Sequence, residues 1–204
     1  MSLETNFFIN NWAFIIPIIL SIIAIVFTAF KDFILPWFFK PELEITYGKK
    51  EPYNRQVPII ESNSVNVGFF YRFKIRNIGK KTAKNCRCQV YSIKNKRGNE
   101  LDLQGFPLKW VSRPDSKERL NISHGESEFV DLANTRIDSV GYFYLEPYHN
   151  VPIGMNNQVS LDYYALKIII SGDNFKPYFA TFRINGQPKE KHILEMFLKS
   201  VARK

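Results

Sequence analysis

The chain has 204 residues, of which 45% are hydrophobic, and its 28 Lys and Arg residues exceed its 19 Asp and Glu residues to give a net charge of +9. It shows no internal repeat and no low-complexity tract, which excludes repeat arrays and biased disordered segments. Residues 1–40 hold two basic and two acidic groups, so the whole net charge lies on residues 41–204. That second part is long enough for one domain with a hydrophobic core.

The first feature along the chain is an uncharged, apolar run from Trp12 to Phe30. A helix of this length extends for about 28 Å, close to the hydrocarbon thickness of a bilayer. We therefore predict a single transmembrane helix, bent at Pro17. A cleaved signal peptide is an alternative, although no Lys or Arg precedes the run and Ala29-Phe30-Lys31 is a poor cleavage site. A buried core helix is the third interpretation.

The charges on either side of the run predict its orientation. The N-terminal side carries only Glu4, whereas the C-terminal side carries Lys31, Lys40, Lys49 and Lys50. The positive-inside bias then places the N-terminus outside the cell and the large C-terminal domain in the cytoplasm. Residues directly after the helix have the aromatic and basic character of a membrane interface. They are Trp37, Phe38, Phe39 and Lys40.

Few residues suggest catalysis or metal binding. Cys86 and Cys88 are the only cysteines, and two residues on the same face of one strand are poorly placed for a disulfide. We expect both to be buried free thiols. The three histidines, His124, His149 and His192, are scattered, and no nucleophile motif, glycine-rich nucleotide loop or metal-ligand spacing is present. We therefore expect a non-catalytic protein without a cofactor.

After the membrane segment, apolar and polar residues alternate along the chain, as they do in β-strands. The clearest strand is Val65–Ile78, where apolar residues such as Phe73 alternate with the basic residues Arg72, Lys74 and Arg76. Further strands are predicted at residues 43–47, 83–93, 108–111, 119–122, 129–132, 141–145, 159–170 and 178–184.

The turns between these strands indicate the fold class. Residues 49–64 are polar and contain two prolines, so we expect a loop or a ragged sheet edge there. Seven or eight strands, with turns at fairly even spacing and no helical pattern between them, predict an antiparallel β-sandwich over residues 41–186.

Two stretches of this domain resemble a known group of proteins. The run Phe73–Cys86, with its Asn-x-Gly turn, is similar to a hairpin of bacterial and archaeal immunoglobulin-like sandwiches, which include cell-adhesion-related domains found in bacteria. Leu120–Val130 resembles the Leu-x-x-Gly-Glu segment of the same family. The resemblance implies an immunoglobulin-like module that binds, spaces or presents something, without shared catalytic residues. Such modules are often extracellular, which implies an exported envelope or adhesion module as an alternative.

The positive charge predicts where a ligand would bind. Basic residues that fall on outward strand positions form a candidate anionic-ligand face, with the rings of Tyr163 and Phe179 interleaved. They are Arg72, Lys74, Arg76, Arg87, Lys167 and Arg183. Such a face can bind anionic lipid headgroups, nucleic acid or a nucleotide. The simpler interpretation is a solvated strand surface.

The C-terminal tail has a helical pattern. Its apolar residues fall at positions i, i+3, i+4 and i+7, which predicts a basic amphipathic helix over residues 187–204. These residues are Leu194, Phe197, Leu198 and Val201. The helix would pack on the sandwich, lie on the membrane surface, or dock a partner protein or a second copy of the chain.

Together these features predict a mainly β, single-pass membrane protein whose cytoplasmic sandwich is a binding or anchoring module. The alternative is a membrane effector of a prokaryotic defence or signalling system. In that case the sandwich would sense a nucleic acid or nucleotide, and the helix would oligomerise to perturb the bilayer.

Overall fold

The computed structural model describes residues 3–35, 39–61, 64–112, 119–137, 141–146, 156–185 and 194–203. The chain forms two compact units, Met1–Lys40 and Pro41–Lys204. The first contains a helix, and the second contains the β-strands.

The N-terminal unit is one apolar helix. Helix α1 spans Leu3–Ala29 and continues into a π-helical segment, Phe30–Ile34. The stretch Phe14–Ile34 has a mean hydropathy of 2.5 over its most apolar window, and none of that window is buried. This confirms the predicted apolar helix, which has the length and composition of a membrane span and, at this place in the chain, also of a signal sequence.

Two hydroxyl groups within α1 are satisfied by the helix itself. Pro17 lies inside the helix, and the hydroxyl of Ser21 donates a hydrogen bond of 2.7 Å to the Pro17 carbonyl oxygen. The hydroxyl of Thr28 donates in the same way to the Ala24 carbonyl oxygen, at 2.8 Å. These bonds leave neither hydroxyl exposed as an unpaired donor in an apolar environment.

The described part of residues 41–204 forms twelve strands. In chain order they are β1 (Leu43–Thr46), β2 (Asn54–Glu61), β3 (Ser64–Asn77), β4 (Ala83–Asn95), β5 (Lys109–Trp110), β6 (Leu120–Ile122), β7 (Ser127–Arg136), β8 (Tyr142–Leu145), β9 (Gln158–Ser160), β10 (Tyr164–Ser171), β11 (Tyr178–Asn185) and β12 (Glu195–Arg203).

The strands form two antiparallel sheets. The seven-stranded sheet has the order β1-β3-β7-β8-β9, with β2 also pairing with β3 and β5 with β7, and the five-stranded sheet has the order β12-β11-β10-β4-β6. The rings of Phe73 on β3 and Phe182 on β11 lie 5.3 Å apart between centroids, so the inner faces of the two sheets meet in one core. The predicted mainly β class and antiparallel sandwich-like architecture are confirmed.

The strand predicted over residues 159–170 is divided between β9 and β10, which lie in different sheets, but the period-two pattern identified the buried face of β10 correctly. In β10, Leu166, Ile168 and Ile170 are fully buried, whereas the residues between them are partly exposed. Cys86 and Cys88 on β4 are buried free thiols, as predicted. Burial raises the pKa of Cys86 to about 12, which keeps this thiol protonated and unreactive at neutral pH.

Strand β2 lies within the segment that was expected to be a loop or a ragged edge. It pairs with β3 alone among the described strands, and its Pro58 stands opposite Val67. A proline lacks the amide donor that a central strand needs, but it is tolerated where only one side of the strand is paired. The polar, proline-containing sequence therefore marks an edge strand.

The predicted C-terminal helix is wrong. Glu195–Arg203 is strand β12, which extends the five-stranded sheet by pairing with β11. The sequence also alternates with period two, so Leu194 and Met196 are both buried. A short stretch can satisfy both periods, and the free hydrogen-bonding edge of β11 selects the strand.

One buried side chain ties three elements together at the β3–β4 turn. The amide of Asn77 donates to the carbonyl oxygens of Lys81 and Ile122, at 2.7 and 2.8 Å. Its oxygen Oδ1 accepts from the backbone N–H groups of Gly79 and Glu42, at 3.0 and 3.3 Å. The asparagine of the Asn-x-Gly turn is therefore a fully satisfied structural residue.

Candidate functional site

The predicted basic residues lie on both sheets. Arg72, Lys74 and Arg76 are on β3 of the seven-stranded sheet. The other three are on the five-stranded sheet, where Arg87 is on β4, Lys167 on β10 and Arg183 on β11. The fold thus divides the predicted anionic-ligand residues between two surfaces with different surroundings.

On the seven-stranded sheet, Arg72 is paired with an acidic side chain. Nε of Arg72 lies 2.5 Å from Oδ1 of Asp131, and 12% of the Arg72 side chain is exposed. Burial raises the pKa of Asp131, and the charge of Arg72 opposes that rise. The pair neutralises the charge of Arg72, which leaves little of it for an external anion.

A second carboxyl group lies close to this pair. The amide of Asn134 donates to Oε2 of Glu146 at 2.5 Å. Burial raises the pKa of Glu146, and the negative charge of Asp131 raises it further, whereas the charge of Lys109 lowers it. This surface therefore mixes charges of both signs within a short distance.

The outer surface of the five-stranded sheet is different, because Lys167 on this surface lies against two aromatic rings. We call it the basic–aromatic face and define it by Tyr91, Lys167, Phe179, Arg183, Phe197 and Lys199. Nζ of Lys167 lies 4.9 Å from the ring centroid of Tyr91 and 4.6 Å from that of Phe179. The two rings meet edge to face, with centroids 5.1 Å apart. The two distances from the Lys167 ammonium to the ring centroids are within the range of cation–π attraction.

Two β-bulges shape the basic–aromatic face. On β4, Ser92 pairs with Lys167 and Val90 pairs with Ile168, which leaves Tyr91 as an extra residue. On β12, Lys199 is the extra residue, because Ser200 and Leu198 pair with consecutive residues of β11. A bulge turns its extra side chain away from the regular alternation, and bulges occur often beside functional sites.

Among the described residues, no carboxylate is paired with any of the three cations of this face. Within the described part of the chain, Lys167, Arg183 and Lys199 form no salt bridge with a carboxylate. A ring quadrupole attracts a cation without neutralising it, unlike the carboxylate that faces Arg72. The face therefore presents positioned positive charges and N–H donors to the solvent.

A cleft opens in the basic–aromatic face above Ala165. Ala165 stands between Lys94 on β4 and Arg183 on β11, and its small side chain leaves space between strands that lie about 10 Å apart. The cleft has a volume of about 610 Å³. Its lining includes Lys96, Asp162, Tyr163, Thr181, Arg183 and Lys199.

Two smaller depressions lie on the same face. One of about 480 Å³ is lined by Arg183, Phe197 and Lys199, so it shares two basic residues with the cleft. The other has a volume of about 180 Å³ and is lined by residues around the Lys167 cluster. They are Tyr91, Lys167, Phe179, Ala202 and Arg203.

Sequence reasoning missed the part of this face that comes from β12. Phe197 and Lys199 were assigned to a helix, and the alternation of buried Leu194 and Met196 with exposed Glu195 was the signal that could have placed them on a strand. The bulge at Tyr91 has no signal in the sequence, because it depends on the register between β4 and β10.

The four residues proposed for a docking helix differ in burial, and two of the four proposed membrane-interface residues are described. Leu194 is buried and its backbone N–H donates to the Tyr71 hydroxyl at 2.6 Å, while Leu198 is partly buried. Phe197 and Val201 are exposed. In the N-terminal unit, Phe39 and Lys40 are exposed, and Trp37 and Phe38 lie outside the described residues.

The remaining chemistry-bearing residues do not form a site in the described structure. No group of three or more His, Cys, Asp and Glu residues that could hold a metal ion occurs among the described residues. Nδ1 of His124 lies 2.7 Å from the carbonyl oxygen of Gly79, so this ring is part of a turn contact. His149 and His192 lie outside the described residues.

Comparisons of the chain with protein-family models, curated proteins and solved structures find no match. The architecture, an antiparallel sandwich-like fold, is compatible with an immunoglobulin-like fold. Many unrelated functions share such folds, so the functional evidence is the chemistry of the basic–aromatic face.

Proposed function

We propose that this chain is a non-catalytic, single-pass membrane protein whose immunoglobulin-like sandwich is a binding module for phosphate-bearing anions. The observation that carries the proposal is the basic–aromatic face, where Lys167 is held by two rings and Arg183 and Lys199 stand without a described carboxylate partner. Charges that are positioned but not neutralised suit an anionic ligand from solution or from a membrane surface.

The residue types on this face favour phosphate over other anions. Arg183 is exposed, and a guanidinium can donate two parallel hydrogen bonds to phosphate oxygens. Lys167 and Lys199 add ammonium groups with further donors. Anionic lipid headgroups and soluble nucleotides both carry this chemistry, and the membrane anchor would hold the domain close to the lipid surface.

The proposal is tested with the full chain in a non-ionic detergent. Equilibrium binding would be measured for two probes, a short-chain phosphatidylglycerol and a nucleoside monophosphate. The variant Arg183→Glu/Lys199→Glu should weaken the binding of at least one probe by about tenfold or more, because it replaces two attractive charges with repulsive ones.

A matched control separates the site from the net charge. Lys81→Glu/Lys176→Glu changes the charge by the same amount at exposed residues outside the basic–aromatic face, and its affinity for both probes should stay within about twofold of the wild type. Equal weakening in both double variants would show an effect of net charge alone and would contradict the proposed site.

A further inference from the structure

The cleft above Ala165 is larger than a single phosphate group requires. Its volume of about 610 Å³ lies within the range of 300–1,000 Å³ typical of small-molecule sites. The depression around Lys167, at about 180 Å³, is much smaller. The larger cleft therefore suits a ligand that carries further groups besides phosphate.

The two sides of the cleft differ in chemistry. Arg183 and Lys199 come from β11 and β12 and provide the charge-assisted donors that phosphate oxygens accept. On the other side, Nζ of Lys96 lies 5.7 Å from the ring centroid of Tyr163, and 36% of Tyr163 is exposed. An exposed aromatic ring with an adjacent cation is a surface on which nucleobases stack.

A carboxylate adds selectivity to this basic cleft. Asp162 is the one acidic residue in its described lining, and its Oδ1 accepts the Tyr163 backbone N–H at 2.7 Å. A negative charge here disfavours a ligand that is anionic throughout. It favours a ligand that also offers N–H donors, as the edges of most nucleobases do.

We infer that this cleft binds a nucleotide, with the phosphate at Arg183 and Lys199, the base against Tyr163, and base N–H donors toward Asp162. The inference rests on the proposed function, because the cleft belongs to the basic–aromatic face. It goes further by naming a ligand that combines phosphate, a planar ring and hydrogen-bond donors. Guanine offers two adjacent N–H donors, so a guanine nucleotide is the best match for the carboxylate.

The test compares GMP with two fragments, one of which lacks the phosphate and the other the base. Calorimetry on the full chain in a non-ionic detergent would use GMP, guanosine and ribose 5-phosphate as probes. GMP should bind at least about tenfold more tightly than either fragment, because only GMP engages both sides of the cleft. Asp162→Asn should remove most of the preference for GMP over UMP while binding through phosphate persists.

A variant that fills the cleft with a bulky side chain tests whether GMP binds there. Ala165 is exposed, so Ala165→Trp should fill the cleft from its floor and weaken GMP binding by about tenfold or more. Ile169→Trp introduces the same side chain on the same face of β10, outside the cleft lining, and should leave GMP binding nearly unchanged. Circular dichroism would verify that each variant folds, and Arg183→Ala, at an exposed position, would replace Ala165→Trp if that variant does not fold.

The outcomes separate this inference from the proposed function. If GMP does not bind but short-chain phosphatidylglycerol does, and Arg183→Glu/Lys199→Glu abolishes that binding, the nucleotide inference is overturned and the proposed function stands. Preferential binding of a short-chain aminophospholipid in the cleft, lost in Ala165→Trp, would also overturn it. If no phosphate-bearing probe binds, both proposals fail.

Discussion

Asn77 shows how much one buried side chain can determine. Its amide joins the β3–β4 turn to β6 through the carbonyl oxygen of Ile122, at 2.8 Å. We expect Asn77→Asp to lower the free energy of unfolding by about 2–4 kcal/mol, because aspartate cannot donate the two hydrogen bonds and carries a charge into the interior. Chemical denaturation monitored by circular dichroism measures the change.

Asn121→Asp is the matched control for Asn77→Asp. Asn121 is exposed, and its Oδ1 accepts from the backbone N–H of Asn85 at 2.8 Å, an acceptor role that aspartate retains. We expect Asn121→Asp to change the free energy of unfolding by no more than about 0.5 kcal/mol. Similar stability of both variants would show that the buried amide network at Asn77 contributes little.

The partly buried carboxyl group of Glu146 makes the stability of the fold depend on pH. Burial raises its pKa in the folded state, so the folded protein holds this proton more tightly than the unfolded chain. The contribution to stability is therefore greatest at low pH and declines as the pH rises from the unfolded pKa to the folded one. Glu146→Gln should flatten this decline and be at least as stable as the wild type at neutral pH.

Urea denaturation of wild type and Glu146→Gln between pH 4 and pH 7 would measure that difference. The glutamine can still accept the hydrogen bond from Asn134, so the comparison isolates the charge. An unchanged pH dependence, or a marked loss of stability at pH 7, would show that the ionised carboxylate is favourable in its surroundings.

At the scale of the element, β12 is the clearest departure from the sequence-based expectation. A strand buries Met196, which is 2% exposed, and presents Phe197, which is 39% exposed, whereas the predicted helix would have buried Phe197. We expect Met196→Ala to cost about 2–3 kcal/mol of stability and Phe197→Ala less than about 1 kcal/mol. Thermal and denaturant unfolding would measure both.

The opposite order of these two effects would contradict the strand and support the helical periodicity. Both apolar side chains are replaced by the same residue, so each variant is the control for the other.

The strands differ in how well their sequences reveal them. β10 buries one face along its whole length and β3 does so from Tyr71 to Asn77, and period-two alternation identified both buried faces. β2 and β12 are edge strands, where a proline and a helix-compatible spacing obscured the pattern. The bulges that place Tyr91 and Lys199 follow from pairing between strands, which a single sequence does not encode locally.

At the scale of the whole molecule, the class of fold followed from the sequence, but the assembled site did not. Arg87, Lys167 and Arg183 were identified as outward cations, yet the acidic partner of Arg72 comes from a strand 59 residues away. The cleft likewise combines residues from Asn95 to Lys199, which only the order of strands in the sheet brings together.

The orientation of the helix remains a prediction from its flanking charges. If the positive side faces inward, a protease should digest residues 41–204 in inverted membrane vesicles but not in intact cells. Digestion in intact cells would contradict this orientation and favour an exported module. Detergent-solubilised protein, digested in parallel, controls for intrinsic resistance to the protease.

The most direct test of the central claim compares the two sheets within one protein. Lys167→Glu/Arg183→Glu alters the basic–aromatic face, and Lys74→Glu/Arg76→Glu makes the same change of charge on β3. Binding of short-chain phosphatidylglycerol and of GMP to the full chain would be measured for each variant at low and at physiological salt. We expect the first variant to lose about tenfold or more in affinity for the bound ligand, and the second to stay within about twofold of the wild type. Equal losses, or a larger loss in the β3 variant, would contradict the assignment of the binding site to the five-stranded sheet.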